Sequence, residues 1–214
     1  VAILDDDRVL VSKSPGKVAK LSDKAHADWD PELFHRASTG IAHTRWATHG
    51  VPSEKNAHPH ISHDGLAIVH NGIIENHEQL RDELKSLGYV FTSDTDTEVI
   101  AHRIHFHLKK TPNLFEAVQA TVHELEGAYA LVVMSEANPG QLILARCGCP
   151  VVVGLGDNEN FVASDVSALL PVTRRFIFLE EGDVAEIHRS HVRVLDKDGK
   201  VTHRPVKESE LSAD

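Results

Sequence analysis

Apolar positions along the chain fall into three regimes. At the front, residues 1–4 and 8–12 are short apolar runs on either side of Asp5-Asp6-Asp7, the pattern of a hairpin. Residues 17–27 have the makeup of a short helix, 29–38 show no period and read as loop, and 41–63, dense in His, Thr, Asn and Pro, read as ordered loop around short strands. Residues 66–70 form an apolar strand that ends at Asn71-Gly72. The middle of the chain is helical. Asn76 is placed to cap a helix whose Leu80, Leu84 and Leu87 make one stripe and which stops at Gly88. A second helix begins at Thr95: Thr95 and Glu98 have capping-box spacing, and Ile100, Ile104 and Leu108 recur every four residues. A third spans 113–126, with Leu114, Val118, Val122 and Leu125 facing inward and Gly127 at its end.

Beyond Gly127 the period shortens to that of strands, predicted at 130–134, 141–145, 151–155, 161–163, 176–179, 184–188 and 191–195. Lys197-Asp198-Gly199 is a turn leading to a last run at 201–206. Helices cluster centrally between strands, and the connections are short. This predicts an α+β fold with antiparallel-rich sheets rather than alternating βαβ units.

Composition narrows the function classes. With 41% apolar residues among 214, the chain can bury a core and is not disordered. Its net charge of -10 argues against nucleic acid or an anionic membrane as partner, since both attract a basic face. No stretch reaches the roughly 18 apolar residues of a membrane span. The two cysteines, Cys147 and Cys149, are too few for a disulfide framework or a structural zinc site and suit a reducing cytoplasm. The opening inside a strand pattern, without initiator Met or lead-in, predicts a piece of a longer polypeptide. The polar residues 208–214 read as the start of a linker.

Sixteen histidines is a high count, and seven lie between His43 and His77. A metal site could draw on His58-Pro59-His60 with His43, His49 and His70, but the spacing fits no zinc pattern, so hydrogen-bonded imidazoles are the simpler expectation. The same holds for His102, His105 and His107. In the octet His43-Thr44-Arg45-Trp46-Ala47-Thr48-His49-Gly50, Arg45 can grip a carboxylate through two parallel N–H donors, Trp46 can cover a small ligand, and Thr48 and His49 can donate further. The plain alternative is a surface arginine stacked on Trp46. Asn71-Gly72 is either a hairpin turn or, because a helix follows, a pair of donors shaped like an oxyanion hole. Asp96 at a helix start either favours the helix dipole or receives an ammonium. Arg45 and Asp96 in one pocket would recognise an α-amino acid. Thr173-Arg174-Arg175 could bind phosphate or pair with Glu180 and Glu181.

Several segments together resemble the glutaminase domain of the glucosamine-6-phosphate synthase family, among the class II glutamine amidotransferases. They are the stretch from Gly40 to Gly50 (GIAHTRWATHG), Asn56-Ala57-His58-Pro59-His60, His70 to His77 (HNGIIENH), Thr95 to His102 (TDTEVIAH), Ala163-Ser164-Asp165 and Pro171 to Asp183. The resemblance implies a four-layer αββα sandwich of the N-terminal-nucleophile hydrolase type. It implies hydrolysis of the glutamine side-chain amide, with ammonia passed to a sugar-phosphate isomerase domain that converts fructose 6-phosphate to glucosamine 6-phosphate in a homodimeric parent. Arg45, Thr48 and His49 would hold the carboxylate of L-glutamine, Asp96 its amino group, and Asn71 and Gly72 the oxyanion. Trp46 would stand between the glutamine site and the ammonia path. No metal or organic cofactor is implied. The family nucleophile is an N-terminal cysteine, whereas position 1 here is Val and Cys147 and Cys149 fall elsewhere. The expectation is therefore that 1–207 is a glutaminase domain without its first strand and nucleophile, inactive alone and less stable than the whole. The rival expectation is a glutamine-binding module that has given up catalysis.

Overall fold

The computed structural model of the chain describes residues 1–210. Strands β1 (Ala2–Asp5) and β2 (Arg8–Val11) form the predicted hairpin and are followed by helices α1 (Val18–Asp28) and α2 (Leu33–Arg36). Strands β3 (Thr39–Ile41), β4 (His60–Ile61) and β5 (Leu66–Ile74) precede the helical section of α3 (His77–Ser86), α4 (Asp96–Leu108) and α5 (Leu114–Val122). The remainder is β6 (Gly127–Ser135), β7 (Gln141–Cys147), β8 (Val152–Leu155), β9 (Asn160–Ala163), β10 (Arg175–Phe178), β11 (Val184–His188), β12 (Val192–Leu195), β13 (Val201–Thr202) and β14 (Val206–Glu208). No helix among the described residues is long and apolar enough to cross a membrane.

Three antiparallel sheets result. The largest runs β13-β12-β11-β7-β6-β5-β4, and two smaller ones run β2-β1-β3 and β14-β10-β8-β9. The large sheet is apolar on both faces, as a middle layer must be. One face packs under the helices: Ile100, Ile104, Leu114 and Val118 of α4 and α5 meet Leu66, Ile68, Leu131, Ile143 and Val184. The other face takes both small sheets. Ala2, Leu4 and Ile41 seat on Ala67, Val69 and Met134, while Val153 and Ile177 seat on Ala130, Leu144, Ala185 and Ile187. Full burial of each such Leu, Ile or Val contributes about 1.5–3 kcal/mol, so the two interfaces hold the layers together. Outside the four-stranded sheet lies a thinner cover, in which Leu169 packs on Val152 and Phe176. These are the helix, sheet, sheet and outer layers expected from the resemblance, with the outer layer carried by short segments.

Local departures from the sequence expectations have local causes. Asn76 precedes α3, but its side chain caps no amide of that helix. Its Nδ2 donates to the Glu124 carbonyl (2.8 Å) and its Oδ1 accepts from the Glu126 N–H (3.1 Å), so it ties down the turn that ends α5 at Val122. The segment 29–38 contains the one-turn α2, too short to show a period. The expected strand at 201–206 is broken in two, because Arg204 turns inward and clasps the fully buried Asp183 at 2.9 and 2.8 Å. Glu208, assigned from the sequence to a linker, pairs with Arg175 as the last residue of β14. Residues 211–214 of that segment lie outside the described residues.

Candidate active site

Asn71 and Gly72 do not end the strand. β5 continues to Ile74 because β6 offers a nine-residue partner, pairing Asn71 with Ala130, Gly72 with Tyr129 and Ile74 with Gly127. The strand passes Gly72 in a conformation only glycine accepts easily: its φ is +123°, and a Cβ there would overlap the Ala128 carbonyl oxygen. Asn71 is exposed, and its Oδ1 lies 2.7 Å from His43 Nε2. An amide oxygen only accepts, so His43 is the donor, and the NH2 of Asn71 is left to face away from it.

Two residues beyond Gly72, the Ile74 N–H donates to Asp96 Oδ2 at 2.9 Å. Asp96 is buried in the first turn of α4, where Thr95 caps the helix by accepting from the Glu98 N–H (3.3 Å). The capping box is half made. Glu98 does not reach back to Thr95 but accepts from the backbone N–H and hydroxyl of both Thr92 and Ser93. Burial would raise its pKa, yet the His102 contact and those donors outweigh it and hold Glu98 down at about 2. The other oxygen of Asp96 stands 4.0 Å from His49 Nδ1.

The octet forms a loop over this helix start. Arg45 closes the loop on itself: Nη2 donates to the carbonyls of His49 and Gly50, and Nη1 to that of Val51. Burial lowers its pKa, and Asp96 and Asp94 act in the opposite sense. Trp46 is 90% exposed, and among the described residues no cation stacks on its ring, so the simple stacked pair with Arg45 is not formed. Thr48 is exposed on the same loop.

Behind the site, sequence reasoning missed a buried polar layer. The Thr97 hydroxyl sits 2.9 Å from both His58 Nε2 and His70 Nδ1, and Thr95 Oγ1 lies 3.1 Å from His60 Nε2. His43 and His58 rings stand 4.0 Å apart. Burial first, then Lys13, pushes His60 down to about 3. Burial, partly offset by Asp96, pushes His70 to about 4. His58 and His43 are also shifted down, chiefly by burial. These imidazoles are therefore neutral at pH 7 and serve as hydrogen-bonding struts; among the described residues, the His and carboxylate groups spaced closely enough to hold a metal ion are Glu186, His188 and His191, elsewhere in the chain. On α4, His102, His105 and His107 bond Ser62, Tyr89 and Glu124 respectively, the ordinary role expected of them. Of the arginine pair at 174–175, Arg175 enters β10 as an exposed residue, and Glu181 pairs instead with Arg146. Cys147 and Cys149 are free thiols, each with its pKa raised, mainly by burial.

A cavity of about 390 Å³ adjoins Asn71. One wall is Ala42, His43 and Thr44, just past β3; the opposite wall is Val162, Ala163 and Ser164 at the end of β9. Its floor is the large sheet, at Val69, Ala130 and Val132. Arg45, Trp46, Thr48, His49, Gly72 and Asp96 do not line it. The site thus has two halves, Asn71 with His43 on the cavity and Asp96 with His49 beneath the Arg45 loop. They are joined by β5, which carries Asn71 and whose Ile74 N–H holds Asp96.

The family model described as "Glutamine amidotransferase domain" matches residues 43–171, a span that starts at His43 and takes in every residue of both halves. The chain belongs to the glutamine amidotransferase family. This amidotransferase domain is 54% identical over its whole length to glutamine–fructose-6-phosphate aminotransferase (isomerizing) of Shewanella oneidensis, and covers 34% of it. It is 60% identical over 199 residues, 93% of the chain, to the Shigella flexneri enzyme of the same name, covering 32% of that protein. The domain thus spans about a third of the length of these curated relatives. Among solved structures, the glutamine phosphoribosylpyrophosphate amidotransferase of B. subtilis, complexed with ADP and GMP, superposes with a TM-score of 0.73 at 25% identity. That match covers 94% of this chain and 43% of the other. The fold is the amidotransferase fold expected from the sequence.

Proposed function

We propose that this chain is the glutaminase portion of a cytoplasmic glutamine–fructose-6-phosphate aminotransferase. In this reading it binds L-glutamine and presents its side-chain amide for hydrolysis to glutamate and ammonia, the ammonia being used by a sugar-phosphate isomerase domain of the same polypeptide. The observation that carries the reading is the arrangement on β5. His43 orients the Asn71 amide, and alternation along an antiparallel strand puts the Gly72 N–H on the edge from which the Ile74 N–H reaches Asp96. Two fixed donors there would meet the negative oxygen that develops when a thiolate attacks the amide carbon. Asp96, buried but with one oxygen free of backbone donors, would take the glutamine ammonium. Arg45, with Thr48 and His49, would take the carboxylate once its guanidinium leaves the loop carbonyls, and Trp46 would then cover the ligand.

The nucleophile in this reading is a cysteine at the head of a strand that occupies the cavity between β3 and β9. The free edges of those strands, on either side of that cavity, support it. The test has two parts. Intact mass and N-terminal sequencing of the polypeptide from its source should give a chain about three times this length beginning with Cys; a native chain of this size beginning at Val1 would end the catalytic reading. Calorimetry with L-glutamine on that polypeptide should show binding that Asp96→Ala weakens at least tenfold, about 1.4 kcal/mol. Glutamine binding without ammonia release would leave the non-catalytic module.

A further inference from the structure

Far from Asn71, the β11–β12 hairpin gathers a second group of chemically capable side chains. Its ladder pairs Glu186 with Arg193 and Ile187 with Val192, and the turn closes through the His188 N–H on the His191 carbonyl (2.9 Å). Glu186 and His188, two apart on one strand, therefore share a sheet face, and His191 stands across from His188 on that face. Their imidazoles stack with centroids 4.3 Å apart and planes 15° from parallel. One ligand atom from each of Glu186, His188 and His191 lies within 4.8 Å of the others, and His188 Nε2 is 3.9 Å from Glu186 Oε2.

We propose that this hairpin is a binding site for a borderline divalent cation such as Zn2+, held by the imidazoles of His188 and His191 and the carboxylate of Glu186. Two imidazoles and a carboxylate are a donor set zinc accepts, with bonds of about 2.0–2.2 Å and ligand atoms about 3.3 Å apart in tetrahedral geometry. The ligand atoms, up to 4.8 Å apart, must close by up to about 1.5 Å. That is a small side-chain rotation for groups at the surface, because His188 and Glu186 are half-buried and His191 is exposed. The backbone beneath them is already fixed. Asn160 Nδ2 donates to the His188 carbonyl (2.7 Å), and Arg189 Nε donates to the Asn158 carbonyl (2.8 Å). Gln141 Nε2 donates to Glu186 Oε2 (2.9 Å), the outer contact that holds a ligating carboxylate in line. Water would complete the coordination. Arg193 opposes it: its Nε occupies Glu186 Oε1 at 2.8 Å and adds a positive charge beside the ion. The site owes nothing to the glutamine reading and stands or falls separately.

Isothermal titration with ZnCl2 at neutral pH, on the chain and its variants, tests it. One site is expected in the wild type. His191→Ala, an exposed position that does not threaten the fold, should weaken binding at least tenfold, and the His188→Ala/His191→Ala pair should abolish it. Arg193→Ala should tighten binding several-fold by freeing Glu186, a response that scattered surface histidines would not give. No Zn2+ uptake by the wild type, or unchanged affinity in His191→Ala, overturns the site. Binding in Arg193→Ala no tighter than wild type removes Glu186 and overturns the three-ligand assignment.

Discussion

Acid should unfold this domain early, and the buried histidines set the window. His58, His60 and His70 are buried and hydrogen-bonded to the hydroxyls of Thr95 and Thr97, with their pKa values depressed, to about 3 for His60 and about 4 for His70. In the unfolded chain each returns to about 6.5. Between these values the unfolded state binds more protons than the native state, so stability rises with pH and falls on acidification. The contribution is complete above about pH 7 and erodes as pH drops below about 6.5, levelling off only near the native values. Going from about pH 7.5 to about pH 5 therefore withdraws about 2 kcal/mol per imidazole, about 6 kcal/mol for the three. A domain's whole stability is about 5–15 kcal/mol. Glu98 does not offset this: held at about 2, its stabilising share persists above its unfolded value and fades only as pH falls toward 2. Urea unfolding followed by far-UV circular dichroism across this range measures the loss. A decrease below about 2 kcal/mol would mean that these imidazoles are already protonated, or exposed, in the native state, and would refute the reasoning.

Two substitutions probe the supports of the fold. Arg204→Ala leaves the Asp183 carboxylate buried without its bidentate partner and should lower stability by about 3–5 kcal/mol, read from the shift in denaturation midpoint at unchanged m-value. Gly72→Ala forces a side chain into a positive-φ position against the Ala128 carbonyl and should lose at least about 2 kcal/mol by the same measurement.

Much of the architecture was legible because it rests on period. The stripe of Ile100, Ile104 and Leu108 and the alternation after Gly127 each report a face buried against one neighbour, and those faces are where the helices and sheets meet. What escaped depends on partners distant in sequence. Asn71-Gly72 looked like a stop because Asn-Gly is a turn signal, but the length of β5 is set by β6, more than fifty residues on. Arg204 breaks its strand for a buried aspartate that no local pattern announces. In the site, the residue types in the octet and at Asp96 pointed to amino-acid chemistry. Nothing local indicated that Arg45 would fold onto its own loop, or that His43 would be the group orienting Asn71. Histidines dense in a segment without amphipathic period were the available signal for the buried layer around Thr97, and composition alone could not separate struts from ligands.

The separation of the two small sheets has a consequence for hydrogen exchange. The β2-β1-β3 sheet meets the seven-stranded sheet through Ala2, Leu4 and Ile41 on Ala67, Val69 and Met134, with Val9, Val11, Ile61, Val132 and Leu142 packed around them. The Val9 N–H donates to Glu136 (2.7 Å), and Arg36 of α2 grips the Asp5 carboxylate at 2.6 and 2.8 Å. A three-stranded unit that packs through an apolar patch of its own can open as a foldon while the seven-stranded sheet stays closed. Because β3 runs directly into His43, each such opening withdraws the imidazole from Asn71. Amide protection in β1–β3 and the fraction of molecules with an oriented Asn71 are then one equilibrium seen twice, and whatever closes the gap between β3 and β9 raises both together.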